Sequence, residues 1–422
     1  MVHLMSIKLR LTILSFFEFF IWGSWLITVG AYWFQNKQWS GAEFGAIFST
    51  MGISAIFMPT VTGIIADRWV NAERLLGFCH IMGAIVLFMI PMVDDPTTFF
   101  WVMLLNMIFY MPTISLTNTI SYTALKNEGK NIIKDFPPIR VWGTIGFIAA
   151  MWIVSLLKIE TSASQFYVAS VASLLLGAYA FTLPKCPPLY IIEKGRSFID
   201  TFGLKAFSLF KDVKMAMFFI FAMLLGASLQ LTNAYGDTFL HDFAKVDAYK
   251  DALAVKYPAI IMSISQISET VFILAIPFML RKFGIKKVMI FSMFAWVLRF
   301  GLFAYGNPAE GLWMIILSCI IYGLAFDFFN ISGSLFVDSQ SDSKIRASAQ
   351  GLFMMMTNGL GALLGSTVSG IVIDKFYTLS DGAKDWQGIW IAFSIYSLVV
   401  AVAFGLLFRH KHDPLALDTI HH

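Results

Sequence analysis

The sequence has few charged residues, few cysteines and no phosphate-binding loop. Only 13% of its 422 residues are charged, against roughly 25% in typical soluble domains. Its three cysteines, Cys79, Cys186 and Cys319, are odd in number and lack metal-ligand spacing, which argues against a disulfide framework. The pattern G-x-x-x-x-G-K-[ST] is missing, so ATP-driven chemistry is unsupported. Because the motifs also contain no catalytic triad, we predict neither an enzyme nor a cofactor.

Hydrophobic residues dominate the chain instead. They make up 58% of it, and the mean hydropathy is +0.73. A single soluble core, limited to roughly 250–300 residues, cannot bury this much apolar surface. The first apolar run begins near Leu11, is too long for a signal-peptide core and has no small-residue cleavage pattern, so it is predicted to be a retained span. The composition predicts an integral membrane protein in a lipid bilayer.

Apolar runs of about 20 residues, the length of helix that crosses a hydrocarbon core, recur along the chain. We predict twelve spans, at 11–33, 44–66, 75–93, 98–122, 138–158, 163–184, 215–237, 256–280, 287–305, 311–337, 346–373 and 387–408. The predicted fold class is therefore an all-α membrane protein. Its predicted parts are an N-terminal six-helix half (1–184), a central loop (185–214), a C-terminal six-helix half (215–409) and a tail (410–422).

Basic residues are distributed unevenly among the predicted connections. With the N-terminus inside, the large majority of the 30 Lys and Arg residues fall in cytoplasmic segments. Cytoplasmic loops of membrane proteins carry this excess, so both termini and the central loop are predicted to be cytoplasmic. The loops at 63–74 and 280–289 both place basic residues around a short turn, at the same point in each half. This 6+6 plan is typical of transporters whose substrates bind near the bilayer midplane.

The predicted span 311–337 contains a polar and aromatic stripe. At about 100° per residue, Tyr322, Phe326 and Asn330 share one face, and Asp327 lies at its edge. The stripe is suited to stack with and hydrogen-bond a neutral ring-containing substrate while Asp327 carries a proton. Alternatively, Asp327 forms a buried ion pair with Arg299, although the predicted depths separate them by roughly 15 Å.

Two other spans carry polar residues three positions apart, on one helix face. Gln266 and Glu269 are suited to accept hydrogen bonds from ribose hydroxyls or to exchange a proton. Gln230 and Asn233 are suited to bind the donor and acceptor edge of a base or a sugar. Both pairs also fit an alternative role as interhelical hydrogen bonds.

Two charged residues lie nearer the predicted inner face. Arg140 shares a helix face with Thr144 and Phe147, and it is either a substrate ligand or an inner-face charge that follows the positive-inside rule. Glu18 is either a contact on the substrate or proton path or a carboxylate that snorkels to the inner interface near Arg10.

Two further features carry no predicted site. His80 has no metal-ligand companions and is expected to be a core histidine. The pair Gly361-x-x-x-Gly365 permits close helix approach, and no ligand contact is predicted beside it.

The segment Gly63-x-x-x-Asp67-Arg68 resembles the loop signature of the major facilitator superfamily, with the usual following residues replaced by WVNAER. Over almost its whole length the chain resembles the nucleoside:H⁺ symporters of that superfamily. The stretches that carry this resemblance are FEFFIWGSWL, FMPTVTGIIADRW, DFPPIRVWGTIGFIAAMW, NAYGDTFLHDF, IMSISQISE, WVLRFGLFAYG, YGLAFDFFNISGS and IRASAQG. Such proteins import nucleosides across the bacterial inner membrane with the proton gradient.

The resemblance implies a substrate site made of Arg140, Thr144, Phe147, Gln230, Asn233, Gln266, Glu269, Tyr322 and Phe326. It implies proton coupling by Asp327. Glu269 is a second candidate for proton coupling, and Arg299 is a possible further site residue. Glu18 departs from the glutamine expected in relatives, which leaves open another substrate preference or an extra titrating group. We expect alternating access by a monomer that binds nucleosides and protons, and no binding of nucleic acid.

A proton-coupled sugar or oligosaccharide symporter of the same fold is the nearest alternative. Sugar sites favour tryptophan stacking and more carboxylates, whereas the amide-rich set of this chain suits a nucleobase. A non-transporting membrane sensor is the second alternative, but it would need an appended signalling domain, and the predicted tails are short.

Overall fold

The computed structural model describes residues 6–130, 132–188, 204–341, 346–380 and 382–410. These residues form helices joined by turns, with an isolated antiparallel bridge between Thr378 and Lys384. The prediction of an all-α membrane protein is confirmed. In the described part of the chain, nine helices are long and apolar enough to cross a membrane, and two shorter apolar helices accompany them.

The first compact unit, unit 1, covers Met1–Gly195. Its helices are α1 (Ile7–Gly23), α2 (Val29–Ala31), α3 (Gly41–Arg68), α4 (Ala72–Met89), α5 (Pro96–Asn127), α6 (Ile132–Leu156) and α7 (Ser164–Ala180). A π-helical segment, Tyr32–Lys37, continues α2, and a 3₁₀ turn, Ile90–Met92, continues α4. Within the unit, α1 packs on α6, α3 packs on α5, and α4 packs on both α5 and α7.

Short polar side chains begin the long helices of unit 1. The hydroxyl of Ser40 accepts a hydrogen bond from the backbone N–H of Glu43, 3.3 Å away. The carboxylate of Asp95 accepts one from the N–H of Thr98 at 2.8 Å. Each contact satisfies a backbone donor that has no partner inside the helix.

The first predicted span, 11–33, is shorter as a regular helix than expected. The structure ends α1 at Gly23. The hydroxyl of Ser24 then donates to the carbonyl of Phe20 at 2.8 Å, and the hydroxyl of Thr28 donates to the side chain of Gln165 at 2.8 Å. These side-chain bonds stabilise a turn before α2, and an apolar pattern alone does not predict them.

The second compact unit, unit 2, covers Arg196–His422. Its helices are α8 (Val213–Asp242), α9 (Leu253–Lys256), α10 (Pro258–Ile273), α11 (Ile276–Tyr305), α12 (Leu312–Gln340), α13 (Arg346–Met354), α14 (Ala362–Phe376) and α15 (Trp386–Leu407). The 3₁₀ segments Leu204–Lys211 and Phe243–Lys245 flank α8, and a π-helical segment, Met355–Gly361, joins α13 to α14. Helix α12 packs on α10 and α11, and α15 packs on α11.

The break predicted between the spans 256–280 and 287–305 coincides with a kink at Gly284, whereas an earlier break after Ile273 was not predicted. Helix α10 already ends at Ile273, and α11 begins at Ile276 with Pro277 in its first turn, where proline loses no hydrogen bond. Gly284 then interrupts α11 with a φ of 77°, a conformation that favours glycine. The basic segment predicted as a loop is therefore a kinked helix.

Glycines allow α8 to approach the π-helical segment and α14 closely. A Cβ at Gly226 would overlap the carbonyl oxygen of Thr357, and a Cβ at Gly365 would overlap the backbone of Ala227. A Cβ at Gly361 would collide with the carbonyl of Met223. The close approach predicted for the Gly361 and Gly365 pair is confirmed.

Parts of three predictions lie outside the described residues. They are residues 189–203 of the predicted central loop, the tail from 411 to 422, and the side chain of Asp67 in the loop signature. The predicted domain boundaries stay predictions.

Candidate functional site

An aromatic pair forms the centre of the candidate site in unit 2. The rings of Tyr322 and Phe326 are stacked, with centroids 5.7 Å apart and planes 8° apart. One turn further along α12, the amide of Asn330 donates to the carbonyl of Phe326 at 3.0 Å. The structure therefore brings the three residues of the predicted stripe together on one helix face.

Arg299 packs against the ring of Tyr322, one member of this aromatic pair. It is fully buried, and its guanidinium carbon lies 4.8 Å from the ring centroid of Tyr322. Its nitrogens donate to the carbonyl of Ser318 and to the hydroxyls of Ser265 and Thr232. Within the described residues it forms no ion pair with Asp327. The alternative of a buried Arg299–Asp327 pair is therefore wrong, because Arg299 is already held by oxygens of three other helices.

Asp327 is a buried acidic residue of α12. Its side chain is 4% exposed, and its Oδ2 atom has no hydrogen-bond partner among the described residues. Glu269, from α10, is close enough to interact with it electrostatically. Each negative charge disfavours the other, so the two carboxyl groups together are suited to hold a proton.

Gly323 explains how α10 and α12 come so close. A Cβ at this position would overlap the backbone of Ser268. The hydroxyl of Ser268 instead accepts the N–H of Gly323 at 3.1 Å and donates to the carbonyl of Ile320. This contact sets Glu269, the next residue of α10, near Asp327 on α12.

Two predicted amides in unit 2 have an oxygen without a partner. The Oε1 atoms of Gln230 on α8 and of Gln266 on α10 are buried and accept no hydrogen bond within the described part of the chain. An unsatisfied buried polar atom costs about 1–3 kcal/mol. A ligand that donates hydrogen bonds would recover that free energy. Asn233 and Glu269 are half-buried on the same two helices.

A cleft in unit 2 combines predicted and unpredicted residues. It encloses about 260 Å³, including space open to solvent. Its lining consists of Leu225, Gly226, Leu229, Trp296, Ala325, Phe326, Phe329, Asn330, Thr357 and Asn358. Phe326 and Asn330 were predicted as substrate ligands, whereas Trp296, Thr357 and Asn358 were not.

Asn358 reaches this cleft because the chain is locally π-helical. Residues Met355–Gly361 form the π-helical segment between α13 and α14, and such segments are frequent at functional sites. The amide of Asn358 has only a weak contact with the sulfur of Met354, at 3.8 Å. No site was predicted beside Gly361, and the structure places Thr357 and Asn358 in the lining of this cleft. The one signal in the sequence was the polar pair Thr357–Asn358 between methionines and glycines.

The three predicted residues of unit 1 lie along α6, beside α1. The guanidinium of Arg140 stacks over the ring of Phe19 at 4.0 Å. Phe147 is 8% exposed and meets the ring of Trp22 edge-on, with centroids 6.4 Å apart. Thr144, which lies between Arg140 and Phe147 in the sequence, is half-buried.

Glu18 does not reach an interface. Its side chain is 0% exposed, and it contacts the ring of His80 at 2.9 Å and the hydroxyl of Thr113 at 2.6 Å. The alternative that it snorkels towards Arg10 is wrong, since α4 and α5 supply polar partners inside the unit. His80 is a core histidine, as expected, but its partner is a carboxylate.

Comparison with known proteins gives consistent matches over the whole chain. The family described as "Nucleoside H+ symporter" matches residues 5–413. The chain is 54% identical over 413 residues to the xanthosine permease of Escherichia coli (strain K12), which covers 97% of this chain and 98% of that protein. It is 51% identical over 421 residues to the nucleoside permease NupG of the same organism, with 99% and 100% covered.

Solved structures of NupG also match. A crystal structure of an aspartate-to-alanine mutant of this nucleoside transporter has a TM-score of 0.93 at 52% identity, and covers 96% of this chain and 100% of that one. A crystal structure of NupG without that substitution has a TM-score of 0.90 at 51% identity, with the same coverage.

Proposed function

This chain belongs to the nucleoside H⁺ symporter family, and from that membership we propose that it imports nucleosides together with protons by alternating access. It is a transporter and not an enzyme. Its relatives include proteins named for xanthosine and for nucleosides in general. Purine and pyrimidine nucleosides are therefore the proposed substrates.

The proposed topology is twelve spans with both termini in the cytoplasm of a bacterium, in the inner membrane, as a monomer. Nine long apolar helices and two shorter ones support it in the described part of the chain. Helix α1, which carries Lys8, Arg10 and Glu18 among its apolar residues, would supply another span. The excess of Lys and Arg on one side supports the orientation.

The observations that carry the proposal are the aromatic pair of α12 and the unpartnered amide oxygens on α8 and α10 of the same unit. A nucleobase is flat, so we propose that it stacks on Tyr322 or Phe326. Its N–H groups and the ribose hydroxyls are the donors that the oxygens of Gln230 and Gln266 lack. Asn233, Asn330 and Glu269 are proposed to complete the polar contacts in unit 2.

Within unit 1, the proposed substrate contacts are Arg140, Thr144 and Phe147. The ring of Phe19 stacks on the guanidinium of Arg140, and a guanidinium is suited to bind base or ribose oxygens. Phe147 would add a second aromatic surface. Thr144 would add a hydroxyl that both donates and accepts.

Asp327 is the proposed proton carrier, with Glu269 as its partner. Proton binding from the periplasm removes one of two nearby negative charges in a buried setting. Release of the proton to the cytoplasm restores the repulsion between the carboxylates of Asp327 and Glu269. Nucleoside contacts to Glu269 would link the two events, because they change the environment of the carboxylate that faces Asp327.

Uptake by purified protein in proteoliposomes tests this function. With an acidic exterior, we expect accumulation of radiolabelled uridine and xanthosine, and its loss when a protonophore collapses the gradient. Unlabelled nucleosides should compete, whereas a free base and a disaccharide should not. Competition by the disaccharide without uridine uptake would instead identify a sugar symporter.

A further inference from the structure

Unit 1 contains a buried acid and a buried base that the proposed transport mechanism does not use. We propose that Glu18 and His80 form a second proton-binding site, which the hydroxyl of Thr113 opens and closes. Glu18 is 0% exposed and His80 is 1% exposed. Ionisable groups are costly inside a membrane and are usually retained there for a function.

Two helices supply the partners of the carboxyl group of Glu18, which itself lies on α1. From α4, the Nε2 atom of His80 lies 2.9 Å from Oε2. From α5, the hydroxyl of Thr113 lies 2.6 Å from Oε1, and the hydroxyl of Thr117 lies 3.2 Å from Oε2. Both carboxyl oxygens therefore have partners, and the positions of the protons follow from the available donors and acceptors.

The Nδ1 atom of His80 carries a proton. The hydroxyl of Ser173 donates its single hydrogen to the backbone carbonyl of His80 at 2.8 Å. The same oxygen lies 3.3 Å from Nδ1. Because Ser173 has no second hydrogen to donate, its oxygen accepts and Nδ1 donates.

One further proton lies between His80 and Glu18. With Nδ1 protonated, the 2.9 Å contact between Nε2 and Oε2 needs a hydrogen on one of these two atoms. An imidazolium with a carboxylate and a neutral imidazole with a carboxylic acid contain the same number of protons. In either arrangement the pair is neutral overall.

The hydroxyl of Thr113 allows the pair of Glu18 and His80 to bind a second proton. Its hydroxyl has one hydrogen but two acceptors, the carbonyl of Tyr110 at 2.5 Å and Oε1 of Glu18 at 2.6 Å. When the hydroxyl points at Oε1, that oxygen is unprotonated. When it points at the carbonyl of Tyr110, Oε1 carries a proton. Glu18 then donates this proton to the hydroxyl oxygen of Thr113.

Uptake of a proton thus requires only a rotation of one hydroxyl. The incoming proton binds Oε1, the Thr113 hydrogen turns to the carbonyl of Tyr110, and the contact of His80 with Oε2 persists. Both carboxyl oxygens of Glu18 keep a hydrogen-bond partner in both states, the carbonyl of Tyr110 accepts the Thr113 hydrogen only in the protonated state, and the cluster gains one positive charge. No heavy atom has to move.

The charged and titratable neighbours set the direction of this equilibrium. Cys79 on α4 and Tyr110 on α5 face Glu18, and Arg140 on α6 faces Tyr110. The phenol of Tyr110 donates to the backbone carbonyl of Glu18 at 2.7 Å and so keeps its own proton. The positive charge of Arg140 opposes a further positive charge on the cluster.

Infrared difference spectroscopy tests this site directly. Protein in proteoliposomes is compared at acidic and neutral pH, in H₂O and in D₂O. We expect a carboxylic-acid C=O band that grows or shifts on acidification, persists in Asp327→Asn and is lost in Glu18→Gln. The matched control is Glu73→Gln, which alters another buried glutamate of unit 1 whose oxygens accept from Asn71 and Cys186 and which should leave the band unchanged.

Persistence of the band in Glu18→Gln, or no acid-induced change in carboxylic-acid bands beyond that of Asp327, would overturn the proposal. Thr113→Val should shift the frequency or midpoint of the band, because the acid loses the oxygen to which it donates. An unmoved band would overturn the switching role of Thr113.

A measurement on the unsubstituted protein covers the case in which Glu18→Gln fails to fold. Nitrogen-15 NMR of labelled histidines distinguishes protonated from unprotonated ring nitrogens, and His80→Gln assigns the signals. We expect Nδ1 of His80 to be protonated at every pH, and both ring nitrogens to be protonated at acidic pH. An unprotonated Nδ1 would contradict the proton positions on which the site depends.

Discussion

The polar cores of the two units differ in how completely their hydrogen bonds are made. In unit 1, Glu18 and His80 contact only protein groups, and each of the four ring and carboxyl atoms has a partner. In unit 2, buried oxygens of Gln230, Gln266 and Asp327 have none within the described residues. Unit 1 thus holds a closed cluster, and unit 2 holds an open one that can accept hydrogen bonds from a ligand.

Burial alone does not produce this difference. Arg299 is as deeply buried in unit 2 as Glu18 is in unit 1, yet it donates to three oxygens. Among the described residues, other unpartnered buried atoms of unit 2 lie on Ser366 of α14 and Trp390 of α15, whereas those of Gln230, Gln266 and Asp327 belong to residues predicted from the sequence to bind substrate or protons. Unsatisfied buried groups cost free energy, so these three oxygens are candidates for hydrogen bonds from a ligand.

The largest effect, a loss of stability to unfolding, is expected from removing the Glu18 carboxyl group from the closed cluster of unit 1. Glu18→Ala removes the partner of His80 and Thr113, and breaking a buried pair in this way costs about 3–5 kcal/mol. Thermal and denaturant unfolding in detergent should show this loss. The control, Glu18→Gln, keeps an oxygen and an amide in place and should lose much less. Equal stability of the two variants would contradict a closed cluster.

Asp327→Asn should abolish concentrative uptake. A proton moving down ~100 mV releases ~2.3 kcal/mol, which supports roughly a 50-fold concentration ratio. The variant should reach only equilibrium in proteoliposomes with an imposed gradient, while nucleoside exchange across the membrane continues. Asp338→Asn, on the same helix, is the control and should accumulate normally. Full accumulation by Asp327→Asn would exclude its role as the proton carrier.

A matched pair of glutamines compares the two units directly. Gln266→Leu should leave stability almost unchanged, because its oxygen has no partner, and should weaken nucleoside binding about tenfold, the worth of roughly one hydrogen bond. Gln165→Leu in unit 1 should do the reverse. Its side chain bonds Thr28, Glu160 and Ser162, so stability should fall by about 1–3 kcal/mol with binding unchanged. Scintillation-proximity binding and unfolding curves measure both quantities.

The smallest effect is expected at Asn358. Asn358→Ala removes an amide from the cleft but no strong protein contact. The KM for nucleosides should rise by about fivefold, as for a hydrogen bond of ~1 kcal/mol, with stability unchanged. Asn127→Ala, at the exposed end of α5, is the control. An unaltered KM across several nucleosides would place Asn358 outside the site.

Much of the candidate site was predictable because it follows helix periodicity. Tyr322, Phe326 and Asn330 recur every four residues, and the structure places them on one face with stacked rings. Asn358 was not predictable in this way. A π-helical segment changes the number of residues per turn, so the faces calculated for a regular α-helix no longer apply.

The apolar runs by themselves determined that the chain is helical and membrane-embedded, since a lipid solvent requires long helices with satisfied backbones. The tertiary structure alone decided which polar groups meet. Periodicity along one helix states which side chains share a face, but it does not state which face of a neighbouring helix lies opposite. Glu18 therefore contacts His80 and Thr113 and does not reach the membrane interface. Arg299 donates to the oxygens of Ser318, Ser265 and Thr232 and does not pair with Asp327.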